Sequence, residues 1–108
     1  MRRSIRNVQL RLPPALKARL AQERDEAASS LNAVIERRIV RQLEVLPADP
    51  GPALWRRMDA SQPGSTFAFA DEVFDRITAI AKRCNTNRGE AAYNLLLASL
   101  EQSQVAAA

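Results

Sequence analysis

The hydrophobic pattern of the first half changes from a two-residue to a four-residue period. In residues 5 to 12, aliphatic side chains such as Leu10 alternate with polar ones, which predicts a short β-strand with one apolar and one polar face. Pro13 and Pro14 end this alternation and suit the first turn of a helix, where amide hydrogens have no intrahelical acceptor. The helix is predicted to run to about residue 27.

A second, more strongly patterned helix follows after a turn. Ser29 or Ser30 provides the N-cap, and an aliphatic residue then recurs every fourth position, at Leu31, Ile35, Ile39 and Leu43. The first half therefore reads strand, helix, helix.

The second half repeats this order after a connector rich in proline and glycine. A shift of 57 residues without a gap places Leu10 on Phe67 and Ile39 on Leu96. Asn87, with Glu90 three residues later, is typical of a capping box at the start of the last helix. We interpret the pattern as an internal duplication, with a first copy at 1–46, a linker at 47–64, a second copy at 65–103 and a tail at 104–108.

Charge distinguishes the two copies. The chain has a net charge of +4, but residues 1–46 contain ten basic and five acidic residues, whereas residues 65–108 contain four and five. The positive field is therefore expected around the first copy, where a polyanion would bind.

The composition argues against several classes of function. The chain has no histidine and one cysteine, Cys84, so we expect no metal site, no intrachain disulfide and a reducing, cytoplasmic location. Its longest apolar stretch is about half of the roughly 20 residues that a membrane span needs, so no membrane partner is expected. With no assembled nucleophile and base and no glycine-rich phosphate loop, we expect neither an enzyme nor a cofactor.

The stretch "NVQLRLPPALKARLAQERDEAASSLNAVIERRIVRQL" resembles the ribbon-helix-helix family of DNA-binding proteins, of which the Arc and MetJ repressors are examples. The resemblance implies a mainly α fold. In it, two β-α-α copies share one core, related by a pseudo-two-fold axis, and their strands pair into a two-stranded antiparallel ribbon that enters the major groove of double-stranded DNA.

The resemblance assigns base reading to Asn7, Gln9 and Arg11, which share the polar face of the strand. Their chemistry agrees, because Asn and Gln can bridge the N6/N7 edge of adenine and Arg can form paired bonds to guanine. The matching positions of the second copy are Gly64, Thr66 and Ala68, which have lost most of this chemistry.

The resemblance also implies that helix N-termini bind DNA phosphates. The expected contacts are Arg2, Arg3, Arg6, Ser30, Leu31, Asn32, Asn87 and Arg88. The arginines at 37, 38 and 41, by contrast, are expected on a solvated helix face.

Two pairing modes remain open at this stage, one within a single chain and one between the first copies of two chains. Tandem chains of this kind are similar to the TraY-type accessory proteins of conjugative DNA processing, and to an accessory protein that binds transfer-DNA borders in agrobacteria. The function expected is therefore transcription regulation or an accessory role in the conjugation relaxosome, with self-association on adjacent sites or a protein partner in the nucleoprotein complex. The alternative is an antitoxin or adaptor whose second half binds a protein.

Overall fold

Two strands and four helices form the described part of the chain. The computed structural model describes residues 5–45 and 57–107, with side chains described for 7–45 and 57–100. In chain order the elements are β1 (Ile5–Arg11), α1 (Pro14–Glu26), α2 (Leu31–Val45), β2 (Gly64–Ala70), α3 (Asp71–Arg83) and α4 (Arg88–Ala107). A mainly helical fold with a two-stranded antiparallel sheet is thus confirmed, and the strand and helix boundaries lie within two residues of those expected for the first half.

The sheet is a ribbon formed by β1 and β2 of the same chain. The strands pair antiparallel, from Ile5 opposite Ala70 to Arg11 opposite Gly64, with Val8 opposite Phe67 at the centre and Gln9 opposite Thr66 next to it. Alternation along each strand sends Val8, Leu10, Phe67 and Phe69 into the core, where each is less than a tenth exposed. The polar positions consequently share the outer face of the ribbon.

Beneath the ribbon, the helices of the two halves are interleaved. The most extensive helix contact is between α2 and α4, while α2 also packs beside β2 and α4 packs beside β1. The long helix of each half therefore lies against the strand of the other half. Both halves contribute to one hydrophobic core, whose fully buried members include Leu20, Ile35, Ile39, Phe69, Ile77 and Leu96.

The turns between the paired helices have the same backbone geometry in both halves. Ala28 and Asn85 are the residues with positive φ outside glycine in the described chain, at 51° and 54°. The N–H of Ala28 donates to Asp25 and that of Asn85 to Lys82, both at 3.3 Å. A left-handed residue thus ends each first helix and redirects the chain into the second.

One expectation about the helix surface is wrong in part. Arg37 and Arg41 are exposed as expected, but Arg38 is half-buried. Its Nε donates to Glu23 Oε2 at 2.6 Å, joining α2 to α1. Arg38 projects toward α1 because it lies one helical turn beyond the buried Val34 and next to the buried Ile39.

Candidate nucleic-acid interface

The outer face of the ribbon presents polar side chains to solvent. Asn7 and Gln9 are exposed on β1, and the exposed Thr66 lies opposite Gln9 on β2. The other outer positions of β2, Gly64 and Ala68, offer no hydrogen-bonding side chain. The central part of the face therefore contains two amides and one hydroxyl, with amide chemistry confined to β1.

Arg11, the third expected reading residue, is half-buried at the end of β1. Its Nη1 donates to the carbonyl oxygen of Gln62 at 2.8 Å and approaches that of Ala60 at 3.5 Å. The backbone N–H of Arg11 is directed at Met58 Sδ, 3.3 Å away. The guanidinium is thus attached to the segment that precedes β2, a contact between distant parts of the sequence that no local pattern could have indicated.

The outer edge of β2 is covered by side chains of α2. Asn32 Nδ2 donates to the carbonyl oxygen of Ala68, and Asn32 Oδ1 accepts from the N–H of Ala68, both at 2.7 Å. Two residues along the strand, the N–H of Ala70 donates to Glu36 Oε2 at 2.8 Å. These bonds fix the N-terminal end of α2 beside the ribbon.

The two hydrogen bonds between Asn32 and Ala68, the edge clamp of β2, change how Asn32 could contact DNA. Asn32 was expected at a phosphate, but both ends of its side-chain amide are bound to Ala68. A phosphate contact at this position would therefore use the backbone N–H, which belongs to the first helical turn and has no intrahelical acceptor.

The outer edge of β1 is approached by the start of α4. A Cβ added to Gly89 would lie 2.8 Å from the carbonyl oxygen of Gln9 and 3.1 Å from Met58 Cε. Only a glycine lets the helix approach the strand this closely without a shift of the backbone. The N-terminus of a long helix consequently flanks the ribbon on each side, α2 beside β2 and α4 beside β1.

Matching side-chain caps begin these two helices. Ser30 Oγ accepts the N–H of Ala33 at 3.0 Å, and Asn87 Oδ1 accepts the N–H of Glu90 at 2.8 Å. One of the two hydrogen bonds of the expected capping box is formed. The Glu90 carboxylate, which would make the other, accepts instead from the hydroxyl of Thr86 at 2.6 Å. The capped ends leave first-turn N–H groups, including that of Leu31, at the positive end of the helix dipole.

Arg88, at the first position of α4, is exposed but held by α3. Its Nε donates to Thr78 Oγ1 at 2.7 Å, and its guanidinium carbon lies 4.8 Å from the centre of the Phe74 ring. The structure therefore gives this cation a defined position beside the helix N-terminus.

The basic arm is described only in part. Arg2 and Arg3 lie outside the described residues, as does the side chain of Arg6, whose backbone pairs with Phe69 at the start of the ribbon.

The segment attached to Arg11 is itself an ordered turn built around Asp59. Asp59 Oδ1 accepts from the hydroxyl of Ser61 at 2.7 Å and from the N–H of Ser61 at 2.9 Å, and the N–H of Gln62 donates to the Asp59 carbonyl at 3.1 Å. The Ser61 hydroxyl, the Ser61 N–H and the Gln62 side chain, in decreasing order, hold the pKa of Asp59 below its ordinary value.

Away from the ribbon, a cleft of about 290 Å³ lies between α2 and α3. Two of its polar side chains bind the backbone, Glu36 at Ala70 and Arg76 at the carbonyl of Leu43. This cleft contributes to packing between the halves, whereas the ribbon face presents the exposed side chains of Asn7, Gln9 and Thr66 to solvent.

Among the described helices none is both long enough and apolar enough to cross a membrane. Searches with this chain match no protein-family model, no curated protein and no solved structure.

Proposed function

We propose that this protein is a sequence-specific double-stranded DNA-binding protein of the ribbon-helix-helix type, which inserts its β-ribbon into the major groove. The observation that supports this most is the exposed polar face of a two-stranded ribbon, with Asn7, Gln9 and Thr66 at its centre and a helix N-terminus on either side. A two-stranded ribbon has the width of the major groove, and helix N-termini are suited to the phosphates that line it.

The backbone supports a tandem duplication as the origin of this ribbon. α1 and α3 begin 57 residues apart, as do α2 and α4, and as do the left-handed residues Ala28 and Asn85. Gln9 and Thr66, which pair with each other in the ribbon, are also 57 residues apart. An internal two-fold axis requires this coincidence, because residues on the axis must pair with their own equivalents.

Base reading is proposed for Asn7, Gln9 and Arg11, as the sequence chemistry suggests. Amides suit adenine and a guanidinium suits guanine, each at about 1–3 kcal/mol of discrimination. Since β2 adds only Thr66, whose hydroxyl accepts or donates and whose methyl suits thymine, the two strands should read unlike bases. A single chain is then expected to prefer a short, non-palindromic site and to gain affinity by self-association on adjacent sites.

Phosphate binding is proposed for both capped helix starts and for the basic arm. Backbone N–H groups near Ser30 and Asn87 would bind one phosphate on each side of the ribbon, with Arg88 adding charge on the α4 side. Arg2, Arg3 and Arg6 would lie along the backbone of the DNA. These contacts raise affinity for every sequence and weaken as salt is added.

The biological setting proposed is cytoplasmic, as a transcription regulator or as an accessory factor in conjugative or transfer-DNA processing, without a cofactor or catalytic step. A protein partner of the nucleoprotein complex fits the accessory role.

Selection of preferred sites from a random duplex pool, followed by titration of single variants, tests the proposal. Gln9→Ala should weaken binding to the selected site about tenfold, equivalent to about 1.4 kcal/mol, with little change on random duplex. Gln22→Ala is the matched control, because Gln22 is an exposed glutamine on α1. Equal affinity of the wild type for all duplexes would contradict sequence-specific reading. A stoichiometric protein partner recovered without DNA would instead favour the antitoxin or adaptor alternative.

A further inference from the structure

The three expected reading residues differ in how firmly the free protein holds them. Asn7 and Gln9 are exposed, whereas Arg11 is half-buried. The Arg11 guanidinium is anchored at one nitrogen, Nη1, by the carbonyl oxygens of Gln62 and Ala60. The end of the ribbon is therefore ordered by a contact that its centre lacks.

The carbonyl groups that anchor Arg11 belong to the Asp59 turn, defined here as residues 59–62. Both oxygens of the Asp59 carboxylate accept hydrogen bonds within the turn, from Ser61 at 2.7 and 2.9 Å and from Gln62 Nε2 at 3.4 Å. Because Pro63 follows, Gln62 is also restricted to extended backbone conformations. The turn is thus closed by local bonds that do not involve Arg11.

A guanidinium has five donors in a planar fork, and the turn uses only those on Nη1. The edge formed by Nε and Nη2 takes no part in these bonds, and it has the two parallel N–H groups that guanine O6 and N7 require. Arg11 could therefore bind guanine without leaving the turn. Holding the plane beforehand also reduces the side-chain entropy that is lost on binding.

We propose that the Asp59 turn positions Arg11 for guanine recognition, and that Asp59 is a positioning residue for this contact. The inference rests on the proposed DNA-binding function and adds a specificity determinant that lies outside the ribbon. Asp59 acts through Arg11 and does not touch the base.

The experiment compares affinities for the selected duplex and for duplexes in which each guanine in turn is replaced by 7-deazaguanine, which lacks the N7 acceptor. In the wild type, one replacement should weaken binding about tenfold. Asp59→Ala should reduce this ratio to that of Arg11→Ala. Asp59→Asn should restore it, because the amide oxygen can still accept from Ser61. Asp25→Ala removes an exposed carboxylate that pairs with the adjacent Arg24, and it controls for the change in net charge.

A measurement without DNA supplies the spectroscopic signature of the contact. In the free wild-type protein, the Nη signals of Arg11 should be resolved by nitrogen-15 NMR, because the carbonyl bonds slow rotation of the guanidinium. In Asp59→Ala they should merge, and in Asp59→Asn they should remain resolved. Merged signals in the wild type would overturn the proposal.

The binding outcomes separate this inference from the function on which it rests. If the wild type prefers no duplex sequence, the proposed function fails. If the wild type discriminates guanine and Asp59→Ala does so equally well, only the positioning role fails. If Asp59→Ala binds the selected duplex more tightly, the turn competes with DNA for Arg11, which also overturns the proposal.

Discussion

The two halves of this chain have the same backbone arrangement, but their side chains differ on the exposed face and along the edges of the ribbon. α1 and α3 have the same length, and Ser30 and Asn87 cap the following helices with equivalent bonds. By contrast, Gln9 stands opposite Thr66 on the ribbon, and Asn32 of the first half corresponds to Gly89 of the second. The two halves therefore match in the geometry of their turns and caps and differ in the chemistry of their ribbon faces and edges.

The shared core is the feature that most strongly joins the halves. Phe69→Ala should lower the free energy of unfolding by about 3–5 kcal/mol, because Phe69 is fully buried beneath the ribbon. Its counterpart Leu12, also buried, should cost about 2–5 kcal/mol when changed to Ala. Urea titrations followed by circular dichroism should show one transition for both variants. Two transitions in either variant would mean that the halves unfold separately.

The edge clamp of β2 has no counterpart of the same chemistry on β1, and this difference gives the next largest effect. Asn32→Ala should cost about 1–3 kcal/mol, because it leaves the N–H and carbonyl of Ala68 without their partner. Asn7→Ala, the same substitution on the exposed face, should change stability by less than about 0.5 kcal/mol. Urea titration and amide exchange at Ala68 measure the effect. Equal stability of the two variants would argue against the clamp.

The left-handed turns offer a comparison in the stabilising direction. Ala28→Gly should stabilise the protein by about 0.5–1 kcal/mol, because alanine at positive φ is strained and glycine is not. Asn85→Gly should give a smaller gain, since asparagine tolerates this conformation better than alanine. Thermal unfolding should show a higher Tm for Ala28→Gly than for Asn85→Gly. The reverse order would mean that the turns are not equivalent.

The smallest expected effect concerns pH and the Asp59 turn, whose equivalent positions in the first half, residues 2–5, contain no carboxylate. Because its hydrogen bonds lower the pKa of Asp59 in the folded state, the carboxylate stabilises the fold above its unfolded pKa. That contribution should disappear as the pH falls below about 4 and through the folded pKa. Carbon-13 NMR titration of the Asp59 carboxyl should give a midpoint below its ordinary value, and Ser61→Ala should raise it. A midpoint that does not respond to Ser61→Ala would contradict this origin of the shift.

Local patterns in the sequence were sufficient for the elements and for the exposed face. Three kinds of local signal each determine structure within a few neighbouring residues: the alternation around Leu10, the prolines at 13 and 14, and the caps at Ser30 and Asn87. These signals also identified the face that presents Asn7 and Gln9.

Contacts between distant segments were beyond such patterns. The bonds of Asn32 to Ala68 and of Arg11 to Gln62 depend on strand pairing and helix placement. From the sequence alone, these two side chains were equally compatible with exposure to solvent and with contact to DNA. Ala28 gave no signal of a left-handed turn, because glycine or asparagine is usual there. Arg38 was misplaced for a related reason, since its partner Glu23 belongs to another helix.

The edge clamp of β2 also affects how readily the ribbon can pair with strands of other molecules. A two-stranded ribbon has two open edges, and unpaired N–H and carbonyl groups on such edges can recruit strands from other molecules into aggregates. Here Asn32 and Glu36 occupy groups of Ala68 and Ala70, while Met58 covers the N–H of Arg11. These contacts leave fewer open groups at which a strand of another molecule could pair, and they thereby protect the edges of the short ribbon.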